Sequence, residues 1–147
     1  MTSSPVFSSP RTFQLWLFTT GHRTLLLRSV KGPDAPTRID LLFKPVRYVQ
    51  VPTELRGVEI HLSERGEAPS NVQASSDDDD LVYRVDTGNV NGWIVAGSFQ
   101  SHEDAGEYGD DSYFDVPNVG VRLGRRTFVG LFGQYGFGVV GGAIEDA

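Results

Sequence analysis

The chain has 147 residues, of which 39% are hydrophobic and 22% charged, a balance typical of one folded domain and not of a disordered chain. It contains no cysteine, which excludes disulfides, thiolate metal ligands and cysteine nucleophiles and is typical of a cytoplasmic protein. The formal net charge of -6 argues against nucleic-acid binding, because attraction to phosphates requires a basic surface.

The charge is distributed unevenly along the chain. Residues 1–65 hold nine Lys or Arg against five Asp or Glu, a balance of +4, whereas residues 66–147 hold four against fourteen, a balance of -10. We expect the two parts to interleave in one fold and to offset each other's charge.

The first ten residues, "MTSSPVFSSP", are rich in Ser and Pro, and we predict a mobile tail followed by a single β domain over residues 11–147. The start lacks the basic and apolar blocks of a secretory signal. No apolar run approaches the ~18–20 residues that a membrane span needs. We therefore expect a cytoplasmic protein without a membrane partner.

The first strand signals form a hairpin over residues 12–30, in which "TTGH" supplies the turn. In the next segment, "RIDLLFK" (38–44), apolar residues alternate with Arg38, Asp40 and Lys44, which predicts a half-exposed antiparallel strand. Residues 45–57 contain two prolines and are predicted as a separate strand followed by a turn.

The segment "VEIHLSE" (58–64) shows clear alternation that predicts a strand with Val58, Ile60 and Leu62 inside. His61 is then placed on the outer face with Glu59, two residues away, where it could act as an oriented base. An exposed surface histidine is the favoured interpretation.

Residues 64–80 contain few apolar groups and end in the aspartate run Asp77–Asp80. We predict an acidic flexible loop, in which the four adjacent carboxylates form a solvated charge run and not a cation site.

The segments "LVYRVDTG" and "GWIVAGSF" are predicted as two strands around "DTGNVNG" (86–92), which resembles a calcium loop only in part and is better explained as a hairpin turn. The C-terminal part contains further extended, glycine-spaced segments. In it Gly136, Gly138 and Gly141 spell G-x-G-x-x-G, but no helix can follow them, so a dinucleotide site is not predicted.

These signals together predict a mostly β fold: an antiparallel β-barrel or β-sandwich of about eight to ten short strands. One short helix is placed at residues 100–108, where "SHEDAGE" offers a Ser N-cap followed by acidic residues. Edge strands with spaced glycines can pair with a second copy of the chain, so the sequence is compatible with a homodimer.

The acidic loop, residues 102–115, concentrates carboxylates and tyrosines around one histidine, His102. A single histidine favours a polar turn over a metal centre. Acidic side chains interleaved with tyrosines also suit the docking of a basic protein surface, because acids steer association and tyrosines add rigid contact area. The predicted partner-binding residues are Glu103, Asp104, Glu107, Tyr108, Asp110, Asp111 and Tyr113.

No serine or histidine arrangement typical of catalysis is present, which favours a non-enzymatic function without metal or cofactor. We predict a small protein-interaction module, of the accessory or toxin-neutralising type, whose acidic second half docks a partner with a basic surface. The alternative is a small-molecule or metal-binding barrel, catalytic or not. Its pocket would be rimmed by His102 or His61 and lined by Trp16, Trp93, Phe99, Phe132 and Phe137.

Overall fold

The computed structural model describes residues 4–88 and 90–114, in which six strands form one antiparallel sheet. The strands are β1 (Phe7–Thr19), β2 (Thr24–Ser29), β3 (Arg38–Gln50), β4 (Glu54–Ser63), β5 (Leu81–Asp86) and β6 (Asn91–Asp104). A single 3-10 turn (Arg65–Glu67) and one short α-helix, α1 (Ser70–Ala74), lie between β4 and β5. The prediction of a mostly β, antiparallel fold is confirmed.

The strand order is β1-β2-β3-β6-β5-β4, and β4 also pairs with β1, so the sheet closes on itself as a barrel. All six pairings are antiparallel. Side chains alternate between the two faces of a strand, so each strand contributes to an inner and an outer face. This alternation decides which functional side chains can meet on the outside.

The described residues contain six strands, not the predicted eight to ten, partly because three strands are long. β1 and β3 have 13 residues each, and β6 has 14. Residues 38–50, predicted as two strands, form the single strand β3. The proline at position 45 is accommodated beside a register shift between Val46 and Tyr48, where the ladder to β6 is irregular.

The two predicted hairpins are confirmed. β1 and β2 pair down to Thr19 opposite Thr24, and β5 and β6 pair down to Asp86 opposite Asn91. β1 begins at Phe7, within the stretch predicted as an N-terminal tail, because its first residues pair with β4. The strands predicted after residue 114 and the glycine motif at 136–141 lie outside the described residues.

Helix α1 lies at residues 70–74 and not at 100–108, where the sequence placed a helix. Residues 100–104 continue β6 and pair with Arg38–Leu42 of β3, so the sheet ladder overrides the local capping signal. α1 falls within residues 64–80, the segment that was predicted as an acidic flexible loop before β5. Its Val72 is fully buried and packs over Val82 and Val95 on the outer face.

The interior of the barrel is filled by apolar and aromatic side chains. Phe13 and Phe43 are fully buried, and Tyr83 and Phe99 pack against Phe43 with ring centroids 5.4 and 4.9 Å away. Burial raises the pKa of the Tyr83 phenol. Contacts of this kind add to the hydrophobic stabilisation of the closed sheet.

The outer face of β2 and β3 carries buried charge, which corrects the prediction of a half-exposed strand. Arg38 is 3% exposed and Asp40 is 2% exposed, although both alternate with the apolar residues that face inward. Part of the cover of Arg38 comes from the acidic loop, which begins in the last residues of β6, as the contacts below show. Within the described residues, no helix is long and apolar enough to cross a membrane.

Candidate functional site

A buried ion pair joins β2 to β3 on the outer face. Arg28 is 2% exposed and lies directly opposite Asp40 in the strand register. Its Nε donates to Oδ1 of Asp40 at 2.7 Å and its Nη2 donates to Oδ2 at 3.0 Å, a bidentate geometry. The Trp16 ring lies 5.0 Å from the guanidinium carbon of Arg28, a cation–π contact.

The same guanidinium also holds the backbone of the acidic loop. Nη1 of Arg28 donates to the carbonyl oxygens of Tyr108 at 3.0 Å and Asp110 at 3.1 Å. The loop is therefore bound to a side chain that lies about 80 positions earlier in the chain.

Arg38 is the second anchor of the loop, and all five of its N–H donors find an acceptor. Nε and Nη2 both donate to the Asp104 carboxylate at 3.1 Å. The remaining donors reach the carbonyl oxygens of Glu107, Asp110 and Asp111 at 3.2, 2.9 and 3.1 Å. Together, the two arginines make five hydrogen bonds to loop carbonyls, which fix the path of residues 107–111.

Three predicted partner-binding acids pair with side chains from the first half of the chain. Besides the Arg38–Asp104 pair, Lys31 donates to Glu107 at 2.5 Å. Glu103 accepts a hydrogen bond from Thr37 at 2.5 Å and lies 3.8 Å from Arg11. The expected charge compensation between the two halves is confirmed for these pairs.

The other predicted partner-binding residues lie on the outside of the loop. Tyr108 and Tyr113 are 52% and 66% exposed, and each packs one edge or face of its ring on the domain. Tyr108 contacts Trp16 at 5.1 Å in a T-shaped arrangement, and Tyr113 stacks on His102 at 3.7 Å. Asp110 and Asp111 are exposed, and the Asp110 carboxylate accepts the Glu107 backbone N–H at 2.9 Å. The loop residue Asp115 lies outside the described residues.

The Arg38 side chain lowers the pKa of the Asp104 carboxyl below its ordinary value of 3.8; burial opposes this shift and the Gly106 N–H favours it. Because the folded pKa is the lower one, the interaction stabilises the fold above pH 3.8 and is lost as the pH falls through the folded pKa. We expect Asp104→Asn to lose most stability near neutral pH, and the difference from wild type in urea denaturation to shrink below pH 3.8. A difference that persists undiminished to about pH 2 would contradict this assignment.

A second polar cluster lies on the outer face of β4 and β5. His61 is 5% exposed, so the prediction of an exposed surface histidine is wrong. Its Nε2 lies 3.1 Å from Oε1 of Glu59, the neighbour that the sequence identified, and 3.9 Å from Oδ2 of Asp86. Sequence reasoning missed Asp86, because only the pairing of Glu59 with Asp86 brings β5 beside β4 in this register.

The aromatic residues predicted to line a common pocket take three separate positions. Trp16 contacts Arg28 and Tyr108, Trp93 packs with α1 on the outer face, and Phe99 packs against the barrel core. Phe132 and Phe137 lie outside the described residues. The described members therefore do not form one pocket.

The aspartate run is held by two arginines and is not merely solvated. Arg47 lies 2.7 Å from Asp80 and 3.2 Å from Asp77, while Arg65 lies 3.5 Å from Asp78. Asp80 is buried to 9% exposure and accepts the backbone N–H of Asp77 at 2.8 Å. These carboxylates therefore stabilise the turn formed by residues 77–80.

The acidic loop and the Glu59–His61–Asp86 cluster are two groups of polar side chains on the outer face with defined geometry. No protein family model, curated protein or solved structure matches the chain.

Proposed function

We propose that the protein is a non-enzymatic interaction module that docks a basic surface of a partner protein through the acidic loop. The observation that carries the proposal is the combination of a fixed loop backbone with outward acids and tyrosines. Five hydrogen bonds from the buried Arg28 and Arg38 fix the backbone, while Tyr108 and Tyr113 stay more than half exposed.

A fixed loop is suited to docking because it loses little conformational freedom when a partner binds. Tyrosine rings supply large contact areas with few rotatable bonds, and they are enriched at protein interfaces. On this loop, Tyr108 and Tyr113 are each supported from behind by another ring. Their exposed faces are therefore presented in a defined direction.

The carboxylates remain usable even though some are paired within the chain. The side chains of Glu103 and Glu107 are 56% and 70% exposed, and exposed ion pairs contribute only ~0–1 kcal/mol. A lysine or arginine of a partner can replace Lys31 or Arg11 at little cost. The acids would also accelerate association with a positively charged surface, in a manner that salt suppresses.

The test is capture of a partner from lysate with a variant in which the exposed loop acids are replaced by their amides. Asp104 is left unchanged because it anchors Arg38. We expect the variant to lose at least about tenfold in captured partner at low salt, and the wild type to lose its partner at high salt. The substitutions are Glu103→Gln, Glu107→Gln, Asp110→Asn and Asp111→Asn.

A matched control removes the same charge from exposed acids elsewhere, so that steering by the loop is separated from overall charge. It must retain the partner, and both variants must unfold at the wild-type temperature. Equal capture by the loop variant and the wild type would reject the proposal. The control substitutions are Asp34→Asn, Glu54→Gln, Glu64→Gln and Glu67→Gln, all at exposed positions.

A further inference from the structure

The cluster of Glu59, His61 and Asp86 is distinct from the acidic loop and is not used by the proposed docking. Asp86 pairs with Asn91 at the start of β6, whereas the acidic loop, residues 102–115, begins at the other end of that strand. Two residue pairs in the register of β4 and β5 bring the cluster together: Glu59 lies opposite Asp86, and His61 lies opposite Arg84.

We propose that this cluster is a binding site for a divalent transition-metal ion of the Zn²⁺ class. One imidazole nitrogen and two carboxylate oxygens, one from each residue, lie within 4.8 Å of one another. Neutral imidazole together with carboxylate is a donor set that Zn²⁺ and its neighbours in the first transition row accept.

The distances are close to those of a loaded site. Ligand atoms bonded to Zn²⁺ at 2.0–2.2 Å stand about 3–3.5 Å apart in tetrahedral or octahedral geometry. Nε2 of His61 lies 3.1 Å from Oε1 of Glu59 and 3.9 Å from Oδ2 of Asp86. The contact with Glu59 already has this spacing, and the Asp86 oxygen must approach Nε2 by about 0.4 Å to reach it.

The surroundings fix two of the three donors before an ion arrives. The His61 side chain is only 7% exposed, so its ring has little freedom to leave the site. Nε of Arg84 donates to both oxygens of Asp86, at 3.1 and 3.0 Å, and orients that carboxylate. Hydrogen bonds of this outer kind are usual for carboxylates that bind metals.

The charge of the cluster also favours a cation. With a neutral imidazole, the two carboxylates contribute -2 and Arg84 contributes +1, so the site carries about -1 before binding. Without an ion, the two carboxylates repel each other at short range. Three protein donors leave a coordination position for water or another ligand, as in sites that are not closed structural centres.

The test is calorimetric titration of the full chain, stripped with a chelator, with Zn²⁺ alone. We expect one ion per chain, and at least about tenfold weaker binding in both Glu59→Gln and Asp86→Asn, which keep side-chain size but remove a carboxylate. Substitution with Co²⁺ in the wild type should give visible absorption typical of mixed nitrogen and oxygen donors. This readout is independent of partner capture, so the metal site and the docking function can fail separately.

The matched controls are His102→Gln and Glu54→Gln. His102 lies 3.5 Å from Asp104, the other described histidine–carboxylate contact, and Glu54 lies on β4 away from the cluster. Both controls must bind Zn²⁺ as the wild type does. No binding by the stripped wild type, or unchanged affinity in the Glu59 and Asp86 variants, would overturn the proposal.

Discussion

Replacing Asp40 with alanine is expected to lower the free energy of unfolding by about 3–5 kcal/mol, the usual cost of removing one partner of a buried ion pair. The guanidinium of Arg28 is 2% exposed and would keep its charge without a counter-ion. Urea denaturation followed by circular dichroism measures the loss.

Two further variants show whether the unpaired charge is the cause. Asp34→Ala removes an aspartate from an exposed position and should change stability by less than about 0.5 kcal/mol. The double variant Arg28→Met with Asp40→Leu removes both charges and should be more stable than Asp40→Ala, although it loses two hydrogen bonds to the loop. A loss below about 1 kcal/mol in Asp40→Ala would contradict the assignment of a strong buried pair.

The second large effect concerns Arg38. Arg38→Ala removes two hydrogen bonds to the Asp104 carboxylate and three to loop carbonyls, and we expect a loss of at least about 2 kcal/mol. The loop itself should open more readily than the sheet. Hydrogen exchange at the amides of Gly106, Glu107 and Asp110, which are bonded within the loop, should accelerate at least about tenfold.

The conservative variant Arg38→Lys separates charge from geometry. Lysine keeps the positive charge but cannot direct five planar donors. Compared with Arg38→Ala, it should therefore restore only a small part of the protection of the loop amides against hydrogen exchange. Arg56→Ala is the matched control, because the Arg56 side chain is 78% exposed and pairs only with Glu54 among the described contacts. Unchanged exchange in Arg38→Ala would show that the loop is held by other contacts.

The elements that sequence could predict are those whose signals are local. The hairpins predicted over residues 12–30 and 81–99 follow from apolar strand residues on either side of turn residues. The inward positions of Val58 and Ile60 follow from the same alternation, and both are buried. Leu62 continues the pattern and pairs with Tyr83, but it lies beyond Ile60, the last β4 residue that pairs with β1, and is 46% exposed.

Other features depend on contacts that local patterns do not encode. Residues 100–104 carry a helix-start signal, yet pairing with β3 keeps them extended. Alternation predicts that Arg38 and Asp40 face outward, which is correct, but not that they are buried there. That burial depends in part on a loop more than 60 residues further along the chain.

The candidate sites also combine features that local sequence patterns indicate with features that depend on contacts between distant residues. The composition of the acidic loop marks it in the sequence, and its role in docking stays a prediction. Its anchors, Arg28 and Arg38, carry no signal of their own, since only the register of β2, β3 and β6 brings them to the loop. Only part of the proposed metal-binding cluster could be predicted from the sequence, because Glu59 and His61 share a strand whereas Asp86 comes from the next one.

The closure of the sheet restricts how a partner protein can bind the six described strands. In an open sheet, an edge strand offers free N–H and C=O groups to which another chain can add a strand. Here β4 pairs with β1, so each of the six described strands has a neighbour on both sides. Recognition by β-augmentation is therefore blocked along the paired length of these strands. A partner that binds these six strands must contact their side chains and loops instead, which makes its affinity sensitive to single substitutions on that surface.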